Sequence, residues 1–151
     1  MALESLKLEP LREDQYRQVA EWEFGPQPPD TDWPRYYAEM NDPKWLHMAI
    51  YNDGVFIGCL SLEMISADGV EYHVVTARHA IHPRDLAAML LGTARDLFNG
   101  GFTLLTVRIP AANRAAAKLA IRCGMTETRN DSLNREFALR KETWGQASRS
   151  L

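Results

Sequence analysis

The chain has 151 residues, the length of one ordinary domain, and its 46% apolar against 25% charged composition supports a buried core and opposes the disordered class. Its formal net charge of -3 opposes a dedicated nucleic-acid or membrane-surface binder, because phosphates and anionic lipids repel net negative charge. Cys59 and Cys123 lie far apart inside apolar segments without metal-ligand spacing, so buried free thiols in a reducing compartment are expected and a metal site is not.

No apolar run approaches a membrane span, and Met1 to Leu8 lacks the apolar stretch of a signal peptide, so a soluble, cytoplasmic protein is expected. Leu6, Leu8 and Leu11 suggest a first strand ending near Pro10. Arg12 to Phe24 reads as a helix, with Tyr16, Val19 and Trp22 on one face, stopped by Gly25-Pro26-Gln27-Pro28-Pro29. Asp32 caps a second short helix carrying Pro34, Tyr36, Tyr37 and Met40. Trp45 to Tyr51, Val55 to Ile65 and Val70 to Ala77 read as three strands, joined by turns containing Asp53-Gly54 and Asp68-Gly69, hence an antiparallel meander. From Pro83 to Phe98 the apolar period changes to that of a helix, ended by Gly100-Gly101. Phe102 to Ile109 is nearly all apolar or β-branched and predicts a strand buried on both faces. Asn113 to Cys123 is an Ala-rich helix stopped by Gly124, and Thr126 to Arg129 and Arg135 to Leu139 predict a final strand pair. The expectation is an α/β (α+β mixed-sheet) domain over residues 1–141, with a frayed tail over 142–151.

Several stretches resemble the GCN5-related N-acetyltransferase (GNAT) superfamily. Val107-Arg108-Ile109-Pro110-Ala111-Ala112-Asn113, followed by Ala116, Leu119, Cys123, Gly124 and Met125, is similar to its closing strand-Asn-helix-Gly signature, with Met125 where an aromatic usually stands. Leu6 to Leu11 with Asp14 resembles its opening strand and helix, and Gly54-Val55-Phe56-Ile57-Gly58 resembles its first hairpin. The resemblance implies a GNAT-like fold of about seven strands with about four helices on both faces of the sheet. A V-shaped splay between the strands around Thr76 and Leu105 goes with that fold, and a plain α/β domain would lack it.

The resemblance also implies transfer of acetyl from acetyl-CoA to a small-molecule or peptide amine, with no nucleic-acid or membrane partner and a homodimer admissible. Acetyl-CoA would lie against Val75 and Thr76, the helix start at Arg84, Leu86, Ala87 and Ala88, and Asn113. Asn113 reads equally well as an ordinary helix cap. Acetyl transfer needs a base for the amine proton, and His73, Glu71 and Glu63 are the candidates on the strands facing the acceptor. Strand alternation puts Glu71 and His73 on one face. Trp33, Tyr36 and Tyr37 belong where the acceptor site is covered, as contacts or as packing.

Two departures from the family pattern stand out. Its pyrophosphate loop carries glycines whose amides face the phosphates, whereas His82-Pro83-Arg84-Asp85-Leu86-Ala87 has Asp85 at the first glycine and loses an amide at Pro83. Asp85 also reads as a helix-start residue that satisfies those amides itself, and Arg78, His79, His82 and Arg84 could hold an anion by side chains. Ala120 stands where many members place an acidic Tyr. The alternative reading is therefore a GNAT-like protein without CoA binding or catalysis, a structural or interaction module with a protein partner, of a kind found in tailed phages.

Overall fold

A computed structural model describes residues 6–77 and 81–144. Strand β1 (Leu6–Pro10) leads through a 3-10 turn (Glu13–Gln15) into α1 (Tyr16–Phe24), and α2 (Trp33–Met40) follows. The predicted first helix is thus split: the Gln15 side chain accepts from the Arg12 amide at 2.9 Å, closing a tight turn before the α-helix begins. Gly25 ends α1 at φ 84°, a left-handed backbone that glycine adopts without a Cβ clash. Asp32 caps α2 by accepting from the Arg35 amide at 3.1 Å.

Three hairpin strands come next: β2 (Trp45–Asn52), β3 (Val55–Met64) and β4 (Gly69–Thr76). Asp53 and Gly54 both take positive φ, 50° and 82°, which sets the twist of a two-residue hairpin. In the second turn the Asp68 carboxylate accepts from Ser66 and from Thr103, tying the hairpin to the far strand and holding its pKa below the usual carboxylate range. Helix α3 (Pro83–Asn99), β5 (Leu104–Pro110), α4 (Arg114–Arg122), β6 (Thr126–Asn130) and β7 (Asn134–Arg140) complete the chain.

The seven strands form one mixed sheet in the order β1-β2-β3-β4-β5-β7-β6. All neighbours are antiparallel except β4 and β5, which are parallel and joined across the sheet by α3. Strand alternation divides the faces. Ile50, Leu60, Leu62, Val70, Leu105 and Leu139 pack with Ala94 and Phe98 of α3, and Ile109 and Phe137 pack with Ala117 and Ala120 of α4. On the other face His47 meets Tyr16 of α1 edge-on, at 5.9 Å between ring centroids.

One expectation changes: β5 is not uniformly buried, since Leu105 and Ile109 are buried, Leu104 and Thr106 half-buried, and Arg108 exposed. The chain is helical over residues 141–144, and Trp144 packs on the buried Phe98 ring at 5.7 Å; residues 145–151 of the expected frayed tail lie outside the described residues. Cys59 and Cys123 are both buried free thiols, as their apolar surroundings suggest.

His47 is buried between two partners. Its Nε2 hydrogen donates to the Met40 carbonyl at 2.8 Å, and its Nδ1 lies 2.6 Å from the Ser61 hydroxyl, which serves a neutral ring as a donor. Burial lowers its pKa. Below its ordinary value of about 6.5 the unfolded imidazole takes up a proton that the folded one refuses, so stability falls as pH drops. Urea unfolding of the protein is expected to show this loss between about pH 7 and pH 5, and His47→Gln is expected to flatten the slope while lowering stability overall. A second prediction concerns Gly58, which pairs with Thr76. A Cβ there would lie 2.8 Å from the Val75 carbonyl oxygen, so Gly58→Ala should push β4 away and cost about 1–3 kcal/mol by urea titration.

Candidate active site

Strands β4 and β5 pair only from Gly69 opposite Leu104 to Tyr72 opposite Val107. Beyond those residues β4 stays with β3, Thr76 opposite Gly58, and β5 stays with β7, Pro110 opposite Asn134. The two strands therefore part like a V, and the inner edges of His73–Thr76 and Arg108–Pro110 have no strand partner in the gap. A cavity of about 500 Å³ occupies the gap. Its walls are Tyr72 to Thr76 on β4, Val107 to Pro110 on β5, Leu86, Leu90, Leu91 and Ala94 on α3, and Asn113, Ala116, Leu119 and Ala120 on α4. Trp22 and Glu23 of α1 also line it. The Tyr72 hydroxyl, pushed up in pKa by burial, donates to the Leu90 carbonyl at 3.3 Å and clamps α3 to β4 at the point of divergence.

His73 lines this cavity. Its Nε2 lies 3.3 Å from Glu63 Oε1 and 3.3 Å from Glu71 Oε2. The grouping follows from register. Glu63 and Glu71 are directly opposite in the β3–β4 pair, and His73 is two residues along on the same face. Both carboxylates are largely buried, at 19% and 14% side-chain exposure, so their charge needs a local counterpart. Lys44 Nζ, 3.2 Å from the other Glu63 oxygen, provides one, and the His73 ring lies against both carboxylates. Trp45 stacks on His47 at 5.3 Å and leans on His73 at 5.1 Å, which fixes the His73 ring. One donor atom from each of Glu63, Glu71 and His73 falls within 4.8 Å of the others, a spacing that a small cation could also span, although the sequence offered no metal motif.

Of the other predicted contacts, Val75, Thr76, Leu86 and Asn113 line the cavity. Asn113 also caps α4, its side-chain oxygen accepting from the Ala116 amide at 3.1 Å, so both readings of this residue hold. Arg84 is exposed and outside the cavity wall, Ala87 is buried, and Ala88 lines an open groove on the opposite side of α3 beside Leu6, Leu8 and Trp144. Asp85 lines that same groove rather than the β4–β5 cavity. Asp85 does not satisfy the helix amides either: His82 Nδ1 accepts from the Arg84 amide at 3.1 Å, and the His82 carbonyl accepts from the Asp85 and Leu86 amides, each at 3.0 Å. Arg78 and His79 lie outside the described residues.

Trp33, Tyr36 and Tyr37 are absent from the cavity wall among the described residues. They pack on one another, and the Arg17 guanidinium sits 5.0 Å from the Trp33 ring centroid. Ala120 presents a methyl to the cavity, and the nearby Cys123 thiol is pushed up to about 11 by burial, which keeps it protonated. The sequence reading missed Glu23. Glu23 keeps an exposed surface, yet burial pushes its carboxyl up while His73 pulls it down, so the two groups sense each other. The available signal was its position beside Trp22 in the last turn before Gly25.

No family model matches the chain, and no curated protein sequence does. Solved structures match it over nearly its whole length. A single-residue mutant form of the spermidine N-acetyltransferase SpeG from Vibrio cholerae superposes with a TM-score of 0.78 at 12% identity, over 96% of this chain and 99% of that one. SpeG from Vibrio cholerae in complex with manganese ions gives 0.74 at 14% identity, over 98% and 99%. A dodecameric SpeG structure in an intermediate state gives 0.73 at 14%, over 93% and 96%. The splayed mixed sheet with its crossing helix and these superpositions define the fold of the GCN5-related N-acetyltransferases.

The clustered charges give a test of the site's internal balance. His73→Ala leaves Glu63 and Glu71 facing each other and is expected to destabilise the protein by about 0.5–1 kcal/mol. Adding Glu71→Gln should recover most of that loss. A double-mutant cycle on urea midpoints should return a non-zero coupling, and additivity would mean that the three groups are independent.

Proposed function

We propose that the protein is an N-acyltransferase that moves an acetyl group from the thioester of acetyl-CoA to an amine. The observation that carries this reading is the meeting of the β4–β5 cavity with the His73–Glu63–Glu71 cluster. A narrow apolar cleft with free strand edges suits the pantetheine arm, whose amides can bond to backbone groups as a short added strand. Those same free amides on β4 can donate to the thioester oxygen as negative charge develops there.

The acceptor arrives as an ammonium ion, and the carboxylates of Glu63, Glu71 and Glu23 favour a cation at that end. His73 takes the amine proton, held in place by Trp45 and by the flanking carboxylates. The freed nitrogen lone pair forms the N–C bond, the C–S bond breaks with its electron pair leaving on sulfur as a thiolate, and the second nitrogen proton passes to solvent as the amide forms. That thiolate needs no strong acid, since a thiol is acidic enough to leave as the anion near pH 8, so Ala120 in place of a Tyr is compatible with turnover. The similar proteins named above act on spermidine, a polyamine, which agrees with a cationic acceptor here.

The rival reading is a GNAT fold that has lost its donor and serves as an interaction module. The engaged amides at the start of α3 favour it, because the phosphates would find no free backbone donor among Arg84, Asp85 and Leu86. Release of free thiol from acetyl-CoA, followed with a panel of mono-, di- and polyamines, separates the two. Amine-dependent release is expected, and His73→Ala is expected to lower kcat by about 10²–10⁴ with little change in donor affinity. A rate that is independent of amine and of His73 would favour the rival.

A further inference from the structure

Helix α3 begins in a way that bears on what the donor must be. Pro83 has no amide hydrogen, the Arg84 amide donates to the His82 ring, and the Asp85 and Leu86 amides both donate to the His82 carbonyl. A helix start ordinarily leaves its first amides open, and those are the groups that attract phosphate. Here, among the described residues, Pro83 has no amide to offer and those of Arg84 and Asp85 are engaged, while the Leu86 amide makes the first ordinary helix bond. The adjoining cavity is intact, open along the strand edges and lined by Leu86, Leu90, Leu91 and Ala116. The cavity suits the pantetheine arm of acetyl-CoA, while Pro83, Arg84 and Asp85 at the start of α3 offer the phosphates no free backbone donor.

We infer that this site recognises its donor through the acyl-pantetheine arm, with no grip on the pyrophosphate from the backbone amides at the start of α3. The inference rests on the acyltransferase reading above and narrows its donor. Acyl-pantetheine occurs as the arm of CoA and as the phosphopantetheine arm of a carrier protein, and either could enter a cleft that holds the arm. A pyrophosphate that those amides do not grip leaves room at the helix start for the surface of a carrier.

Calorimetry with S-acetylpantetheine, acetyl-CoA and an acetylated acyl-carrier protein tests the inference on the intact protein, with thiol release as the second readout. S-acetylpantetheine and acetyl-CoA are expected to bind within about threefold of each other, because a recognised pyrophosphate would add about tenfold or more for each charge-assisted bond. Tighter binding of the carrier protein would identify it as the source, and equal binding of all three would identify free thioesters; both support the inference. Acetyl-CoA binding about thirtyfold or more above S-acetylpantetheine would overturn it while leaving the acyltransferase reading intact. Binding of none at millimolar concentration would overturn that reading as well. His82→Ala, which removes the ring that engages the Arg84 amide, is expected to improve acetyl-CoA binding relative to S-acetylpantetheine; an unchanged ratio together with an acetyl-CoA preference would count against the closed helix start as the cause.

Discussion

The parting of β4 from β5 after Tyr72 and Val107 is the constraint on which the site depends. Each strand has a stronger claim on it from the other side. β4 is antiparallel to β3 along its full length, and β5 is antiparallel to β7 along its full length, whereas the parallel seam between them joins only their first halves. Gly58 reinforces the choice by letting β3 approach the Val75 carbonyl closely. Backbone groups along a buried strand edge must be satisfied or stay open to solvent, so the gap is an invitation to an extended ligand. Side chains from α3 and α4 then wall it with aliphatic groups that cannot compete for those backbone bonds.

Charge in the site is set by the same register that sets the gap. Glu63 and Glu71 face each other because β3 and β4 are joined by a short turn, and His73 falls beside them because side chains alternate. A sheet position that opposes two carboxylates is unfavourable by itself. His73, Lys44 and the stacked Trp45 offset that repulsion, and a cationic acceptor would do so further. The cluster therefore holds two acids and a base together at the end of the cleft where an amine must lose a proton.

Much of this was legible in the sequence. The change of apolar period at Pro83, the Asp-Gly turns and the strand–Asn113–helix segment gave the element order, and alternation placed Glu71 with His73. Four things were not legible. Glu23 reaches the site only because α1 packs over β4, a tertiary relation that no local pattern encodes. Asp85 looked like a charge beside the phosphates, but helical rotation carries it to the far groove with Ala88, and His82 takes the capping role. The uneven burial of β5, with Arg108 exposed, was hidden because a run of mostly apolar residues reads as doubly buried. Trp144 lay beyond the last periodic segment, yet it closes the core over Phe98.

The β4–β5 seam also separates two modes of chain assembly. β2, β3 and β4 are consecutive hairpin strands, so their contacts close over short loops. Joining β4 to β5 instead spans the whole of α3, and β6 lies at the opposite edge beyond β7. Closing a loop of that length costs more chain entropy than closing a hairpin. The cleft thus lies on the seam between strands held by short-range hairpins and strands joined to them only by long-range pairing.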